Sequence, residues 1–224
     1  MPYILNIHTA TETAVVTLCC GSTVVDSLMN HEMKQHASFV HTAAHNLLRR
    51  NQVEINNLDA IGVSIGPGSY TGIRVGLAAA KGLSYALSIP LVTYNSLELL
   101  ADSLINIVAD ANALYCPMID ARRMEVYTAI YDFRLQEILP PSAAILDENS
   151  FSEILKENKI LFTGSGSDKF KTLLKNSNSI FITSHISPAS LAKISFQKFE
   201  KKRFENVAYV SPLYIKDFHT ISKK

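Results

Sequence analysis

The chain has 224 residues, of which 47% are hydrophobic and 18% charged, and its formal net charge at pH 7 is +1. These values are those of a globular protein with one large or two small domains, and so small a net charge argues against a dedicated nucleic-acid binder. Three cysteines suit reduced thiols in the cytoplasm rather than a disulfide framework, and neither a membrane span nor a secretory signal is expected.

The hydrophobic pattern predicts strands and helices in two successive groups. In the first group, strands are predicted at 3–9, 13–20 and 23–28, a helix at 34–50, a strand at 60–65, a helix at 68–87, a strand at 91–94 and a helix from Ser96. In the second group, strands are predicted at 113–120, 125–133, 160–163 and 180–183, and helices at 151–158, 169–176 and 188–203. The order predicts a two-lobed α/β protein with a boundary near Ala109.

A glycine-proline turn joins the strand at 60–65 to the following helix. Gly66 and Gly68 permit positive φ angles and close backbone approach, and Ser69 and Thr71 are both suitable N-caps for the helix. Free N–H groups at such a helix end can hold an anion. The same sequence also suits a simple tight turn, so both interpretations stay open.

Small residues form a stripe along that helix. Ala78, Gly82 and Ala86 recur at every fourth position, and each glycine costs roughly 1 kcal/mol of helix propensity relative to alanine. The stripe therefore predicts close packing of another backbone, either inside the lobe or across an interface.

Positive charge is concentrated at the C-terminal end. Residues 193–224 carry eight Lys or Arg against three Asp or Glu, so this part is about +5 and the rest about −4. The basic side chains crowd the end of a predicted helix, where cations complement the helix dipole. A solvated helix end is the favoured interpretation, and contact with RNA phosphates is the alternative.

Four segments together resemble the TsaB (YeaZ) family over most of the chain. They are residues 66–76 (GPGSYTGIRVG), 4–12 (ILNIHTATE), 118–127 (MIDARRMEVY) and 211–216 (SPLYIK). The resemblance implies the two-lobed fold shared by actin, sugar kinases and Hsp70, with a mixed sheet and flanking helices in each lobe. It implies an N-terminal lobe of residues 1–109 that carries the partner-binding helices, and a smaller lobe of residues 110–224.

In that fold, nucleotide phosphates lie between the lobes, against turns that the resemblance places at eight residues of this chain. These are His8, Thr9, Gly66, Gly68, Ser69, Asp120, Gly164 and Gly166. His8 stands where the fold usually has an acid that helps hold a hydrated metal ion, and an imidazole offers Mg²⁺ no anionic oxygen. We therefore interpret these turns as vestigial, with no catalytic residue and no tightly bound cofactor, and expect ATP or ADP only in an assembled complex.

We do not expect the histidines of this chain to form a metal site. His41 and His45 have the spacing by which two imidazoles share a metal ion, but they belong to a polar stripe with Lys34, Ser38 and Arg49 that suits solvent or a partner. The related TsaD transferases carry metal histidines after the next strand. Residues 94–100 of this chain contain no histidine there, which favours a subunit over an enzyme.

The leading hypothesis is a non-catalytic scaffold or dimerisation subunit in tRNA threonylcarbamoyladenosine formation. The modification places a threonylcarbamoyl group on the adenosine 3′ of the anticodon in tRNAs that read codons beginning with A. The resemblance implies a heterodimer with a TsaD-type transferase, a TsaE-type ATPase in a larger complex, tRNA bound indirectly, no membrane and a cytoplasmic location. The expected interface residues are Ser38, His41, His45, Ala78, Lys81, Gly82 and Tyr85.

Two other classes of function stay open beside it. One is an active ATPase or sugar kinase of the same fold, and the other is a tRNA-binding module that uses the basic tail. The ATPase or kinase would need a metal-binding acid in the place of His8, and the tRNA-binding module would need interleaved aromatic and basic residues. The sequence shows neither feature. The sequence also leaves open whether the isolated chain is a monomer or a homodimer.

Overall fold

The computed structural model describes residues 1–32 and 35–216. Two five-stranded sheets form its framework, which confirms the predicted α/β fold with two mixed sheets. The strands are β1 (Tyr3–His8), β2 (Ala14–Cys20), β3 (Thr23–Asn30), β4 (Leu58–Ser64), β5 (Leu91–Tyr94), β6 (Ala113–Asp120), β7 (Glu125–Tyr131), β8 (Glu137–Ile145), β9 (Lys159–Thr163) and β10 (Ser179–Phe181). The helices are α1 (His36–Arg50), α2 (Tyr70–Leu87), α3 (Ser96–Val108), α4 (Ser152–Glu157), α5 (Ser167–Lys171) and α6 (Pro188–Glu200).

The first sheet has the order β3-β2-β1-β4-β5. The first three strands are antiparallel neighbours, as predicted, and β4 and β5 continue the sheet in parallel with β1. Leu5 of β1 lies between Leu18 and Ile61 of its two neighbours. This central position explains why β1 and β4 are buried along almost their whole length.

Helices α1 and α2 cover one face of the first sheet. Val40, Ala43 and Leu47 of α1 are buried against it, at the spacing of one helix face. The predicted start of α1 at Lys34 lies outside the described residues. Helix α2 begins at Tyr70 rather than at the predicted Gly68, because Gly68 has a φ of +150° that no α-helix accommodates.

The second sheet has the order β10-β9-β6-β7-β8. Strand β8 was not predicted, since Pro140 and Pro141 lie inside it. A proline cannot donate to a strand ladder, and β8 accommodates two because it is an edge strand. Helices α4 and α5 cover one face of this sheet, where Phe162 and Phe170 pack edge to face.

Helix α3 lies between the two sheets and packs against β6, β7 and β9 and against α6. Nine of its residues are buried, including the carboxylate of Asp102, which pairs with Lys193 Nζ of α6 at 2.5 Å. The predicted boundary near Ala109 separates the two sheets along the chain. Helix α6, which that division assigned to the second lobe, packs against β1, β2, β3 and β5 of the first sheet.

Residues 201–216, here called the C-terminal strap, run along the first lobe and end at the second. The backbone N–H of Glu205 donates to the Leu91 carbonyl at 2.8 Å, and that of Leu213 donates to the Ile65 carbonyl at 2.8 Å. Lys216 then pairs with Glu125 at 2.7 Å. The strap therefore joins the two lobes at one side of the cleft between them.

The three cysteines are free thiols, as predicted. Burial raises the pKa of Cys19 and of Cys116 to about 12, so both are inert, protonated core residues at neutral pH. Within the described part of the chain, no helix is both long and apolar enough to cross a membrane.

Candidate functional site

A cleft of about 580 Å³ separates the two lobes. Its first wall comes from the β1–β2 loop and the start of α2, and its second wall from the β6–β7 hairpin, with the end of the strap between them. Gly68, Ser69 and Asp120 are the predicted phosphate-turn residues that line it. The other five predicted residues lie behind these walls or beside them.

His8 is fully buried at the end of β1 and does not line the cleft. Its Nε2 atom lies 2.9 Å from the Thr11 hydroxyl, and its Nδ1 atom has no partner in the part of the chain described. Burial, with a smaller contribution from His36, lowers the pKa of His8 to about 3. The imidazole is therefore neutral at physiological pH, and it supplies neither a charge nor an anionic ligand to the cleft.

The glycine-rich turn packs against the β1–β2 loop at very short range. Ser69 N–H donates to the Ala10 carbonyl at 2.7 Å, and the Thr9 hydroxyl donates to the Gly72 carbonyl at 2.6 Å. A Cβ atom at Gly68 would collide with the Ala10 carbonyl, and one at Gly72 with the Thr9 carbonyl. At Gly66, φ is +109° and a Cβ would press on Ile73. These glycines thus serve loop-to-helix packing, and the Ser69 N–H is already paired.

Asp120 lies at the end of β6, where the resemblance placed the second-lobe acid. Its Oδ1 atom accepts from Lys169 Nζ at 2.6 Å and from the backbone N–H of Arg122 at 2.7 Å. Partial burial raises the pKa of Asp120, but these hydrogen bonds and the Lys169 charge outweigh it and hold the pKa below its usual value. A metal ion at this carboxylate would compete with the Lys169 ammonium, so the residues present fit a hydrated metal–nucleotide poorly.

Gly164 and Gly166 form a turn after β9 that packs against β6. A Cβ at Gly164 would collide with the Met118 carbonyl, and one at Gly166 would lie 2.6 Å from Val126 Cγ1. The turn is also tied down by a hydrogen bond of 2.9 Å from Gly166 N–H to the Met118 carbonyl. Both glycines are required by this close packing.

A second depression lies on the outer side of α1 and α2, away from the cleft. It has a volume of about 440 Å³ and is here called the α1/α2 groove; its lining residues are Ala37, Val40, His41, Val75, Ala78, Ala79, Gly82 and Leu83. A Cβ at Gly82 would meet no atom within 4 Å. The stripe of Ala78, Gly82 and Ala86 therefore faces outward. This excludes the alternative that the stripe packs against another backbone inside the lobe.

The predicted interface residues divide into two groups by their surroundings. Ser38, His41, His45, Ala78, Gly82 and Tyr85 are exposed beside or within the groove, with Tyr85 81% exposed. Lys81 instead donates to the carbonyls of Ala208 and Val210 at 3.3 and 3.2 Å. It therefore holds the strap. No group of three His, Cys, Asp or Glu side chains that could hold a metal ion occurs in residues 1–32 and 35–216. That the protein binds no metal is still a prediction.

Sequence reasoning missed two features of the cleft. Lys169 reaches back to Asp120, and the strap brings Tyr214 against Tyr70 and Arg74. Neither contact has a signal in the sequence, because Lys169 is 49 residues from Asp120 and Tyr214 is 140 residues from Arg74. In the MIDARRMEVY segment the sequence predicts a functional role for Asp120 but none for Arg122 or Arg123.

This arrangement of two mixed sheets around a cleft defines the class of fold shared by actin, sugar kinases and Hsp70. A polyphosphate/ATP-glucomannokinase from an Arthrobacter species matches 90% of this chain and 100% of its own at a TM-score of 0.50 and 10% identity. An uncharacterised protein from Pseudomonas aeruginosa with similarity to YeaZ matches 96% of this chain and 100% of its own, with a TM-score of 0.82 and 22% identity. These similarities concern the fold.

Sequence comparison then identifies the family. The model of the family described as TsaD, tRNA N6-adenosine threonylcarbamoyltransferase, matches residues 30–217. The tRNA threonylcarbamoyladenosine biosynthesis protein TsaB of Bacillus subtilis is 33% identical over 178 residues, covering 77% of this chain and 75% of that protein. The chain belongs to the TsaB (YeaZ) family.

Proposed function

We propose that this chain takes part in the formation of threonylcarbamoyladenosine in tRNA as a non-catalytic partner of a TsaD-type transferase. Its relatives of the same family carry the name of that biosynthesis, and the exposed α1/α2 groove is the observation that carries the partner role. The transferase would perform the chemistry, a TsaE-type ATPase would join the larger complex, and the assembly would act in the cytoplasm, where tRNA is modified.

The inter-lobe cleft supports the absence of catalysis by this subunit. His8 is neutral and buried, Asp120 is neutralised by Lys169, and the N–H of Ser69 is used by the Ala10 carbonyl. Two of the groups that would hold a phosphate or its metal ion, Asp120 and the Ser69 N–H, are thus engaged within the protein, and His8 is withdrawn from the cleft. No observation favours an ATPase or a sugar kinase beyond the shared fold.

The α1/α2 groove supports a protein partner because it is apolar, open and free of side-chain bulk. Ala78 and Gly82 leave the backbone of α2 accessible, and Val75 and Leu83 provide partly buried apolar surface beside them. Tyr85 projects at the end, and exposed aromatic residues are common anchors at interfaces. We therefore place the transferase subunit on this groove, with Lys81 left to its contact with the strap.

Gly82→Glu tests the proposal directly. Space around Gly82 is open and glycine is unfavourable inside a helix, so the variant folds with undiminished stability. A carboxylate buried in the interface without a partner weakens binding of the transferase subunit by about a hundredfold, or roughly 2.7 kcal/mol. Isothermal titration calorimetry with the transferase subunit of the same cell measures it.

The matched control is Gln197→Glu, which adds the same charge at an exposed position of α6, on the opposite face of the first sheet. Its affinity and the reconstituted transfer activity stay at the wild-type level. Unchanged affinity in Gly82→Glu would move the interface elsewhere, and a wild-type chain without affinity for the transferase would refute the function itself.

A further inference from the structure

Two adjacent arginines, Arg122 and Arg123, form the tip of the β6–β7 hairpin, and Arg122 lines the inter-lobe cleft. Arg122 and Arg123 have φ angles of +72° and +49°, in the left-handed region that hairpin turns usually fill with asparagine and glycine. Both side chains are exposed, and neither guanidinium has an ion-pair partner in the described ranges of the chain. The charge of Arg122 contributes to the lowered pKa of the nearby Asp120 as the last of its causes, and both arginines are exposed in a backbone conformation that disfavours them.

The hairpin tip is held rigidly from below by Lys169. Its ammonium group donates to Asp120 Oδ1 at 2.6 Å, to the Arg123 carbonyl at 2.9 Å and to the Glu125 carbonyl at 2.6 Å. A lysine has three donors, so all of them are spent on fixing this turn. Strained backbone that is held so firmly is characteristic of functional sites.

Aromatic side chains lie on the other wall of the same cleft. Tyr70 and Tyr214 stack with ring centroids 5.7 Å apart, and both are partly exposed. The Arg74 guanidinium lies 3.9 Å from the Tyr70 ring centroid, and its Nε donates to the Tyr214 hydroxyl at 2.9 Å. The cleft therefore has cations at one rim and an aromatic platform opposite.

We propose that the Arg122–Arg123 turn and the Tyr70–Tyr214 platform bind a single-stranded segment of the tRNA substrate, with phosphates on the arginines and a base against the tyrosines. Arginine forms forked hydrogen bonds to phosphate, and unpaired bases stack on aromatic rings. The inference rests on the proposed function, which brings tRNA to the complex, and it adds a direct RNA contact by this subunit.

A polynucleotide fits these observations better than a nucleoside triphosphate. The turns that would hold a triphosphate and its metal ion are engaged internally, whereas the arginines are exposed at the open rim. Local placement of charge also makes the small net charge of +1 compatible with RNA binding. Three basic residues of the C-terminal region, Lys193, Lys198 and Lys216, are less suited because they are already paired with acids.

The test measures binding of a fluorescently labelled, unmodified tRNA transcript to the complex of this chain with its transferase subunit. In Arg122→Gln/Arg123→Gln the affinity falls at least tenfold. The slope of log affinity against log salt falls by roughly 1.5, because each lost phosphate contact accounts for about 0.7–0.9. The control, Arg134→Gln/Lys175→Gln, removes the same charge from two exposed sites without ion-pair partners in the described chain, and leaves both quantities unchanged.

Two further variants separate binding from folding. Arg122→Gly/Arg123→Gly removes the guanidinium groups while favouring the left-handed turn, so tRNA affinity falls as in the glutamine variant while the melting temperature does not. Tyr70→Leu weakens binding several-fold through lost stacking and leaves the salt slope unaltered, since no phosphate contact is removed.

Three results would overturn the inference. They are unchanged tRNA affinity in both arginine variants, loss of the transferase subunit from those variants in the absence of RNA, and displacement of the labelled tRNA by inorganic phosphate or ATP at constant ionic strength. The second would assign the arginines to the protein interface, and the third to a small-anion site. In each case the wild-type chain still binds its transferase, which distinguishes these results from failure of the proposed function.

Discussion

At the scale of single residues, two buried imidazoles are the most unusual groups of the first lobe. His8 and His36 are almost completely buried, and His8 Nδ1 and His36 Nε2 have no hydrogen-bond partner in the described part of the chain. Burial lowers the pKa of both side chains, that of His8 to about 3. Both are therefore neutral in the folded protein, and protonation of either would place an uncompensated charge in the core.

This arrangement predicts a stability that decreases in mild acid. The pKa of His8 is lower in the folded than in the unfolded chain, so the unfolded chain takes up the proton first. Stability is complete above pH 6.5 and declines as the pH falls towards 3, by up to about 1.4 kcal/mol per pH unit. His8→Gln retains a polar group near Thr11 but cannot titrate, so its stability between pH 7.5 and 5 changes by about 2 kcal/mol less than that of the wild type.

Urea denaturation of both proteins at several pH values measures the difference. The pKa of His36 is lowered too and this residue remains in both proteins, so the difference between them is due to His8 and to its smaller electrostatic interaction with His36. Parallel stability curves for the wild type and His8→Gln would contradict the assignment of a buried, neutral imidazole.

At the scale of elements, α2 has two kinds of glycine. Gly72 lies against the Thr9 carbonyl, where a Cβ would collide with backbone, whereas Gly82 faces open space. One helix therefore combines a glycine required by its packing against the β1–β2 loop with a glycine that packing does not require.

The two glycines give a matched pair of substitutions in one helix. Gly72→Ala decreases the free energy of unfolding by about 2–3 kcal/mol, because the loop at Thr9 must move to admit a methyl group. Gly82→Ala increases it by up to about 1 kcal/mol through helix propensity alone. Thermal and urea denaturation of both variants measures the effects, and equal effects at the two positions would show that the β1–β2 loop does not restrict α2.

Elements with a strong local pattern were predictable, and those fixed by distant contacts were not. The three antiparallel strands, the buried β4 strand and the Ser69 N-cap follow from hydrophobic runs and cap chemistry, and the structure confirms them. Strand β8 was missed because its two prolines are tolerated only at a sheet edge, and the position of an edge depends on the whole sheet. In the candidate site, the resemblance to the family singles out Asp120, whose role stays a prediction, but its partner Lys169 requires a fold to bring the two together.

At the scale of the whole molecule, α6 connects the last part of the chain to the first. Its Lys193 reaches the fully buried Asp102 carboxylate of α3 at 2.5 Å, and its Lys198 reaches the partly exposed Glu98 at 3.2 Å. Hydroxyl groups of Ser103, Ser187 and Ser190 add hydrogen bonds between the same helices. The contact between α3 and α6 is thus an ionic and polar seam within an apolar core.

The two lysines predict unequal costs on removal. Lys193→Met leaves Asp102 buried without its cation and destabilises the protein by about 2 kcal/mol, below the 3–5 kcal/mol of a fully buried pair because Lys193 itself is 41% exposed. Lys198→Met costs about 1 kcal/mol or less, since both partners of its ion pair are partly solvated. Chemical denaturation of both variants provides the measurement, and a larger effect at Lys198 would contradict the argument.

The position of α6 also has a consequence for synthesis on the ribosome. Strand β1 ends at His8, whereas α6, the helix that packs on the second face of its sheet, begins at Pro188 and is therefore translated much later. At about 5–20 residues per second, roughly 10–40 s pass between the two. During this time Val15 and Tyr94, which end in the core beside α3 and α6, lack part of their cover. The core on this face of the first sheet therefore closes only after α6 has been translated.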